Sequence, residues 1–516
     1  MAVSDSHLVG AQGPVRGFPL YLRRASWILS STYISEFGPL YVQVLGLFYT
    51  TWLLYLVSRG TGDDYMHITK AFGHVAISQL PFHYLLSLKN TKSSPIAWAT
   101  GLTHERLNPI HRLFGRIVHL FLAIHAVLYL RFFIVMRFLE KRIKDRDVRL
   151  GILAFWSFNF LGLLALPVVR RKVYHAVFYQ THVVLSALVL PVLWFHVPYT
   201  RWFVGQAVFI YVMGGLSRMA SRENVEGLKC ESVEGTDLIK VKFFVDRRSA
   251  LAGAAPGQHV YIVRKGLTGP KTPFTIANVQ EPGDNNGKSR VEVMLVLRNM
   301  GGPGTSPLAA LRSDNHKDAT ERFRIEGPYG EASQYMPSLL NLASPPNGPI
   351  LLIAGGIGVT YTLPIYLSLV TSSANRGRTI KFVWLIKTLA DATWGIELLL
   401  AALREGKTDS LNVEIYVTTS TQSEASDKFE EVTSSGFLRA KGLRGENIGR
   451  RPNLRETVDE VFTTSAASPG SVEEVSVFVC GPPGLSSSVR GIVGRWVWRD
   501  GRKVSWFEEV FGFGGS

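Results

Sequence analysis

The chain has 516 residues, of which 46% are hydrophobic and 19% are charged, and its 56 lysines and arginines exceed its 40 aspartates and glutamates to give a formal charge of +16. The length indicates more than one domain, and the apolar residues concentrate in the first 220 positions, a distribution that excludes a simple soluble globule. The two cysteines, Cys230 and Cys480, lie far apart, which excludes a disulfide framework, a structural zinc site and a four-thiolate iron–sulfur cluster.

The N-terminal segment, residues 1–38, is mixed and polar over its first 26 residues. It lacks the basic start, followed at once by an apolar stretch, that is typical of a cleavable signal peptide. We therefore expect the first membrane span to be retained.

Six apolar stretches follow, each long enough to cross a bilayer, which takes about 20 helical residues. Their polar positions are too few for the outer faces of a soluble bundle. Residues 39–222 are therefore predicted to form a six-helix transmembrane bundle. The six stretches cover residues 39–58, 67–88, 111–139, 150–169, 173–197 and 202–220.

Basic residues indicate the orientation of this bundle. They cluster in the loop between the second and third stretches, at residues 170–172, and after the sixth stretch. The positive-inside rule places these sites, and with them the C-terminal half, in the cytosol. Short basic runs beside apolar segments indicate membrane flanks and anion sites, so we expect no nucleic-acid partner. Residues 137–149 are an exception to the positive-inside rule, because this loop would face outside and contains six basic and three acidic residues.

Four histidines in two of these stretches repeat one spacing. His111 and His125 are 14 residues apart in the third stretch, and His182 and His196 are 14 apart in the fifth. At 100° per residue, 14 positions return to within about 40° of the same helix face and advance about 21 Å. Two such helices side by side offer two bis-histidine sites at two depths, the axial ligation that two b-type haems require.

The alternative is that these four histidines are polar residues hydrogen-bonded within the bundle. Ionisable groups inside membrane spans are costly and usually functional, which favours the ligand interpretation. His119 fits neither pair, and His175 shares the face of His182 but lies close to the basic interface, so we give both non-ligand roles. Interfacial or packing roles are assigned to His67, His74 and His83.

After Arg222 the pattern changes to short strand-like runs separated by glycine, proline and asparagine, and residues 223–345 are predicted to form a small antiparallel β-barrel. Residues 346–516 alternate buried strand, glycine turn and helix, which is typical of an α/β domain with a parallel sheet. Within it, residues 421–471 are rich in Ser, Thr and charge, and we expect a partly disordered insertion. The strand runs are residues 238–245, 259–263, 291–297, 350–354, 381–386, 413–418 and 475–480.

The stretch from Gly101 to Arg116 reads GLTHERLNPIHRLFGR. It resembles the segment that enters the first haem-binding helix of fungal ferric reductases, relatives of the NADPH oxidases. The resemblance extends from about residue 40 to the C-terminus, with the motifs in the family order. It implies a di-haem membrane domain, an FAD-binding barrel and a ferredoxin-reductase-like NAD(P) domain.

The family has a His-Pro-Phe-Thr motif at its FAD site, where this chain has Thr272, Pro273, Phe274 and Thr275. The resemblance implies that the proline and phenylalanine shape a loop along the isoalloxazine and that Thr275 hydrogen-bonds the flavin. Thr272 replaces the family histidine, which removes an expected cofactor contact.

Arg298, with Gly304 and Thr305 after it, resembles the family's arginine and Gly-x-Thr region at the FAD diphosphate, where a charge-assisted bond makes physical sense. Later in the chain, a strand delivers a glycine turn to a helix N-terminus, so that backbone N–H groups can face a pyrophosphate. The turn consists of Gly355, Gly356, Gly358 and Thr360.

Cys480, Gly481 and Pro482 follow a later strand and resemble the nicotinamide site of ferredoxin-reductase-like domains. The resemblance implies that Cys480 lies near the transferred hydride as the catalytic residue. A buried apolar cysteine at a strand end is the alternative.

Arg451 resembles the arginine of the family's Gly-Arg-Pro-Asp segment beside the nucleotide. The chain end resembles the family's Glu-x-Phe-x-Trp ending, whose last aromatic residue shields the flavin; here Phe513 keeps the aromatic face without the indole N–H. Lys387, Arg378 and Arg451 are available to meet a 2′-phosphate, which favours NADPH over NADH.

The resemblance implies an oxidoreductase that passes electrons from cytosolic NADPH through FAD and two b-type haems to a ferric chelate on the opposite face, for iron or copper acquisition. We expect a multi-pass protein of the plasma membrane, in contact with lipid. Two alternatives stay open: an NADPH oxidase that releases superoxide, and a degenerate non-catalytic scaffold, suggested by Thr272 and Phe513. The sequence does not decide the chelate or whether the chain forms a homo-oligomer.

Overall fold

The structure is a computed structural model that describes most of the chain. Within the described residues, helices occupy the N-terminal half, followed by an antiparallel sheet and then a parallel sheet flanked by helices. The described residues are 20–34, 38–90, 93–172, 175–264, 271–281, 290–301, 305–310, 323–341, 348–418, 441–464 and 473–509.

Helices form almost all of the described chain before residue 221. Two antiparallel strands of two residues each, β1 (Tyr33–Ile34) and β2 (Gly38–Pro39), lie between the first helix and the second. The helices are α1 (Leu20–Ser31), α2 (Leu40–Ser58), α3 (Tyr65–Ser78), α4 (Leu80–Leu86), α5 (Pro95–Thr100), α6 (His104–Val135), α7 (Leu139–Arg142), α8 (Arg146–Ala165), α9 (Pro167–Lys172), α10 (His175–His196) and α11 (Arg201–Ala220).

Five helical segments of the described chain are long and apolar enough to cross a membrane: α2, α6, α8, Phe178–His196 within α10, and Pro198–Ala220, which includes α11. The second predicted span is instead divided at Gln79 into α3 and α4. Pro81, in the first turn of α4, explains the division, because proline has no N–H to donate to the preceding turn. The helical membrane region therefore agrees with the prediction, and the six-span count stays a prediction.

Helix α6 lies at the centre of the bundle and packs against α2, α3, α4 and α8, while α10 packs against α8 and α11. Phe114 and Phe121 are buried inside, and the ring of Tyr49 stacks on Phe114 with centroids 3.8 Å apart. Large apolar side chains cover the outside as well, with Phe48 70% exposed and Trp202 73% exposed. Helices that are apolar on both faces suit a lipid surrounding and not water.

Seven strands form an antiparallel sheet in the order β3-β9-β6-β7-β8-β5-β4. The two ends of this order are separated along the chain by Val225 alone. The expected antiparallel domain is therefore present, and its closure into a barrel stays a prediction. Two short helices, α12 (Ser306–Ala310) and α13 (Ala332–Leu339), accompany it. The strands are β3 (Arg222–Asn224), β4 (Glu226–Ser232), β5 (Leu238–Asp246), β6 (His259–Arg264), β7 (Lys271–Gln280), β8 (Arg290–Arg298) and β9 (Phe323–Tyr329).

Six parallel strands form the second sheet, in the order β13-β12-β11-β10-β14-β15. Residues 350–354 of its central strand are completely buried, as expected of a parallel sheet covered on both faces. The strands are β10 (Ile350–Gly355), β11 (Ile380–Ile386), β12 (Val413–Val417), β13 (Leu443–Ile448), β14 (Glu474–Cys480) and β15 (Lys503–Glu509). The helices are α14 (Val359–Thr371), α15 (Thr393–Arg404), α16 (Leu454–Thr464) and α17 (Pro483–Arg499).

Residues 421–471, for which we expected a partly disordered insertion, contain regular structure in their described part, residues 441–464. Residues 443–448 form edge strand β13, and α16 buries Val458, Val461 and Phe462 against the sheet. The charged composition concealed this helix, whose few apolar residues all lie on one face. Residues 419–440 and 465–472 lie outside the described residues.

The N-terminal helix α1 docks on the last helix and last strand of the parallel-sheet domain. Trp27 meets Trp506 edge to face at 6.0 Å. Arg490 of α17 donates to the Ser30 carbonyl at 3.2 Å and lies over the ring of Tyr33 at 5.2 Å. The helix that precedes the first span thus contacts the domain that follows the last span.

Replacing Trp27 with alanine tests this docking. We expect Trp27→Ala to weaken the attachment of α1 by about 1–3 kcal/mol, through lost apolar burial and the lost aromatic pair. Hydrogen–deuterium exchange of residues 20–31 should accelerate. Tyr21→Ala, on the same helix at a 68% exposed position, is the matched control and should exchange like the wild type. Equal exchange in both variants would contradict the docking.

Candidate functional site

The four predicted ligand histidines lie between the helices at two levels. His111 is within electrostatic reach of His182, and His125 is within reach of His196. Both pairs join α6 to α10, and the repeat along each helix separates the two levels by about 21 Å. The structure thus brings together the pairs that the spacing suggested.

Backbone carbonyls hold three of these imidazoles by Nδ1. The Nδ1 atom of His111 lies 3.2 Å from the carbonyl oxygen of His83. The Nδ1 atom of His125 lies 2.7 Å from the carbonyl oxygen of Thr69, and that of His196 lies 2.8 Å from the carbonyl oxygen of Asp147. A carbonyl only accepts, so Nδ1 is the protonated nitrogen and donates. The lone pair of Nε2 then remains available to a metal, the arrangement typical of metal-bound histidine.

His182, the second member of the inner pair, differs from the other three histidines in its hydrogen bonding. Its Nδ1 atom is buried and has no hydrogen-bond partner among the described residues. A buried polar atom left in this state is costly unless a ligand or water satisfies the ring. Iron at Nε2 would not satisfy this Nδ1 atom, so the fit to iron porphyrin rests on the tautomers of the other three histidines.

His83 is a neighbour of the inner pair that the sequence analysis did not assign to it. Its ring stacks on the ring of His111, with centroids 4.1 Å apart and planes 11° apart. Its own carbonyl accepts the Nδ1 proton of His111. Stacking covers the face of His111 and leaves the in-plane Nε2 lone pair free. No periodicity links residues on different helices, so spacing could not reveal this contact.

Glycines on the facing helices make room for the imidazoles. A Cβ atom on Gly73 would lie 2.7 Å from the His125 ring, and one on Gly151 would lie 2.8 Å from the His196 ring. Gly162 faces His119 in the same way at 2.6 Å, and His119 Nε2 lies 3.1 Å from Oδ1 of Asn159. His119 is therefore held by a side chain away from both pairs. The side chain of His175 lies outside the described residues.

The segment compared with the flavin motif belongs to strand β7 and not to a loop. Phe274 is buried in the core of the antiparallel sheet, and its place along the isoalloxazine stays a prediction. Thr272 is buried beside Ile262, and Pro273 is exposed. Thr275 is buried, and its Oγ1 has no hydrogen-bond partner among the described residues. That hydroxyl can donate to a bound ring.

Arg298 ends strand β8 but is not free to meet a diphosphate. Its guanidinium pairs with Asp237 at 3.1 Å and with Asp391 at 3.4 Å. A phosphate would have to displace one of these carboxylates. Thr305 is buried, and its Oγ1 accepts from the Met300 N–H at 3.3 Å, whereas Gly304 lies outside the described residues.

The glycine turn and the cysteine segment meet at the centre of the parallel sheet. Strands β10 and β14 are neighbours, with Ala354 opposite Cys480, and the chain leaves them in opposite directions across the sheet. A Cβ atom on Gly355 would lie 2.8 Å from the Pro482 ring, so only glycine allows this approach. Such a switch point is the usual ligand crevice of an open parallel sheet.

The remaining residues of this crevice are Gly356, Gly358, Thr360 and Gly481. Gly356 adopts a φ of 55°, which favours glycine. Gly358 and Gly481 pack against the neighbouring backbone. The Thr360 hydroxyl donates to the Ile357 carbonyl at 2.9 Å, so it shapes the turn instead of facing a ligand.

Cys480 and Glu509 lie opposite each other at the ends of adjacent strands; Cys480 is buried and Glu509 is partly buried. Burial, followed by the charges of Glu509 and Glu508, raises the pKa of the Cys480 thiol well above its usual range. Burial, followed by Glu105 and Glu331, raises the pKa of Glu509 to about 8. At pH 7 Cys480 is therefore a thiol and not a nucleophilic thiolate, and the raised pKa of Glu509 favours its protonated form. The family-like ending contains Glu509, but the sequence analysis singled out only Phe513, which lies outside the described residues.

The three basic residues proposed for a 2′-phosphate differ in availability. Arg378 is half-buried, donates to the Gly348 carbonyl and to Asn375, and has its pKa lowered to about 10 by burial. It is a structural residue, which corrects that prediction. Lys387 and Arg451 are exposed and follow β11 and β13, so both lie at the carboxyl edge of the sheet.

Comparisons with known proteins match both halves of the chain. The ferric reductase like transmembrane component model matches residues 72–193, and the ferric reductase NAD binding domain model matches residues 349–494. Ferric reductase transmembrane component 6 of Saccharomyces cerevisiae is 22% identical over 85% of this chain and 59% of its own length. The chain thus spans about three fifths of that relative.

Two further relatives carry related names. A probable metalloreductase of Yarrowia lipolytica is 25% identical over 85% of this chain and 75% of its own length. A probable cell surface ferric reductase of Aspergillus oryzae is 24% identical over 62% of this chain and 44% of its own length.

Substituting Gly73 tests the packing around the outer histidine. The added methyl of Gly73→Ala would press on the His125 ring, and we expect a loss of about 1–3 kcal/mol in thermal unfolding of the purified protein. Gly215→Ala is the matched control, since a Cβ atom there meets nothing within 4 Å. It should be neutral or stabilising by up to about 1 kcal/mol. Equal stability of the two variants would refute the contact.

The raised pKa of Glu509 predicts that the stability of the protein depends on pH. Its carboxyl has a folded pKa of about 8 against an ordinary 4.5, so between these values the folded protein holds a proton that the unfolded chain releases. The associated stability is complete below pH 4.5 and is lost as the pH rises through 8. The melting temperature of Glu509→Gln minus that of the wild type should therefore increase from pH 5 to pH 8.5. Glu234→Gln, on an exposed turn, is the control and should run parallel to the wild type.

Proposed function

Since the chain belongs to the ferric reductase family of membrane oxidoreductases, we propose that it carries electrons from cytosolic NADPH across the membrane to a ferric chelate. The observation that carries this proposal is the two levels of paired imidazoles between α6 and α10. Backbone carbonyls hold the Nδ1 atoms of His111, His125 and His196, which leaves the Nε2 atom of each for iron.

Two b-type haem sites follow from this arrangement. His111 and His182 would hold the inner haem, and His125 and His196 the outer one. Haem iron, when bound, accepts and releases one electron at a time. The work of the protein is to fix each ring by its carbonyl partner and to keep water out with apolar helices.

The nucleotide half supplies the electrons. FAD, when bound, takes a hydride from NADPH and releases electrons singly. Thr275 Oγ1 is the free donor for the flavin ring. The turn from Gly355 to Gly358 offers backbone N–H groups to a pyrophosphate. Cys480 and Glu509 would border the nicotinamide, and their raised pKa values favour a thiol and a protonated carboxyl there.

The preference for NADPH rests on two exposed cations. Lys387 and Arg451 lie at the carboxyl edge of the parallel sheet, where a 2′-phosphate of a nucleotide in the crevice would reach. NADPH is a cytosolic donor, so the nucleotide half is assigned to the cytosol. The docking of α1 on this half agrees with an even number of membrane crossings.

A plasma-membrane location is supported by the name of the cell-surface relative.

Reduced-minus-oxidised spectra with NADPH as donor test the proposal. Wild-type protein should show two b-type haems that NADPH reduces. His182→Ala should lose the inner haem and block reduction of the outer one, and His125→Ala should lose only the outer haem. His119→Ala is the control and should retain both, because its imidazole is engaged by Asn159.

Two results would overturn the assignments. Retention of both haems in His125→Ala and His182→Ala would reject the ligands. Superoxide release at the same rate with and without ferric chelate would make the protein an oxidase.

A further inference from the structure

The loop and first helical turn that follow α6, residues 137–149, carry an excess of positive charge on the side where the positive-inside rule disfavours it. We call this segment the outer basic loop. Its charged residues are Arg137, Glu140, Lys141, Arg142, Lys144, Asp145, Arg146, Asp147 and Arg149.

Internal ion pairs do not neutralise this loop. Arg142 alone engages two of the three carboxylates, pairing with Asp145 and, at 3.6 Å, with Asp147. Lys141 and Lys144 are exposed and have no acidic partner among the described residues. Most of the positive charge therefore faces the solvent.

The loop touches the outer histidine. The Asp147 carbonyl accepts from His196 Nδ1 at 2.8 Å. The Arg146 guanidinium lies 5.5 Å from the ring centre of Phe195, the residue before His196. Arg201 lies over Trp194 at 5.8 Å and donates to its carbonyl at 3.1 Å. Cations thus surround the end of α10, where an electron would leave the protein.

Arg137 adds an observation from the backbone. Its φ is 56°, and it is the sole non-glycine residue with positive φ among those the structure describes. It occupies the position just after the end of α6, where glycine is the usual residue. An arginine here strains the backbone and adds one more cation to the loop.

We propose that the outer basic loop, with Arg201, is the docking surface for the electron acceptor and that this acceptor is an anionic ferric chelate such as a polycarboxylate complex of Fe(III). The inference rests on the proposed function and specifies its substrate class. Clustered cations raise the local concentration of a polyanion and speed its encounter, an effect that salt screens.

The electron balance is complete. One NADPH supplies two electrons, which leave the outer site singly, and each reduces one Fe(III) chelate to Fe(II). NADP⁺ and one proton are released on the cytosolic side. No other reductant is required.

The test uses the full-length holoprotein in phosphatidylcholine nanodiscs with NADPH as donor. Fe(III)-EDTA serves as the anionic acceptor and hexaammineruthenium(III) as the cationic one. Two variants remove charge: the double variant Lys141→Gln/Lys144→Gln, and Arg137→Gly, which also relieves the strained backbone. Lys229→Gln, exposed on β4 of the cytosolic half, is the matched control.

For the double variant we expect the KM for Fe(III)-EDTA to rise about 5- to 10-fold at low ionic strength with kcat unchanged. Arg137→Gly should raise it by about 2- to 3-fold without lowering the melting temperature. The KM for hexaammineruthenium(III) should stay the same or fall. Salt of about 0.5 M should remove these differences, and Lys229→Gln should match the wild type.

Each other result has a definite meaning. A KM that changes equally for both acceptors, or for neither, overturns the docking surface while leaving ferric reduction in place. An effect that appears only in nanodiscs with anionic lipid would identify lipid headgroups as the ligand of the loop, and also overturns it. If NADPH reduces the haems but no ferric acceptor of any charge is reduced, the proposed function itself fails.

Discussion

An imidazole buried between membrane helices has to satisfy its N–H group, because no water is available in the hydrocarbon region. In this chain, backbone carbonyls of His83, Thr69 and Asp147 accept these protons. One bond therefore fixes three things at once: which nitrogen carries the proton, the direction of the ring, and the direction of the free lone pair. The proposed haem sites depend on this constraint.

The same constraint explains the close helix packing. An imidazole can approach the backbone of a neighbouring helix only where that helix lacks a side chain, and Gly73 and Gly151 provide the space. At the inner level, the ring of His83 is accommodated by Gly115 in the same way. The bundle is thus built around its histidines, with the rest of its outer surface left apolar for lipid.

The two halves of the protein meet at the N-terminal end of α6. Arg106 pairs with Glu331 at 2.6 Å, and Lys89 lies 4.0 Å from the ring centre of Tyr261. His259, opposite Thr275 on the neighbouring strand, lies 3.8 Å from a carboxylate oxygen of Glu105. These contacts bring the strand with the free threonine hydroxyl close to the helix that carries His111. A short path between flavin and inner haem would follow directly from this junction.

The sequence by itself determined the features that depend on neighbours along the chain. The 14-residue histidine repeats, the apolar stretches, the β-type runs and the glycine turn are all local patterns. Helices and strands lie close to the predicted ranges, except that the second apolar stretch forms two short helices. Tertiary structure decided the features that depend on residues distant in sequence. His83 lies on His111, the pKa of Glu509 is raised, Arg298 and Arg378 are already paired, and α16 packs as an ordered helix. The physical reason is that hydrogen-bond partners, burial and ion pairs are set by three-dimensional neighbours, which local periodicity does not encode.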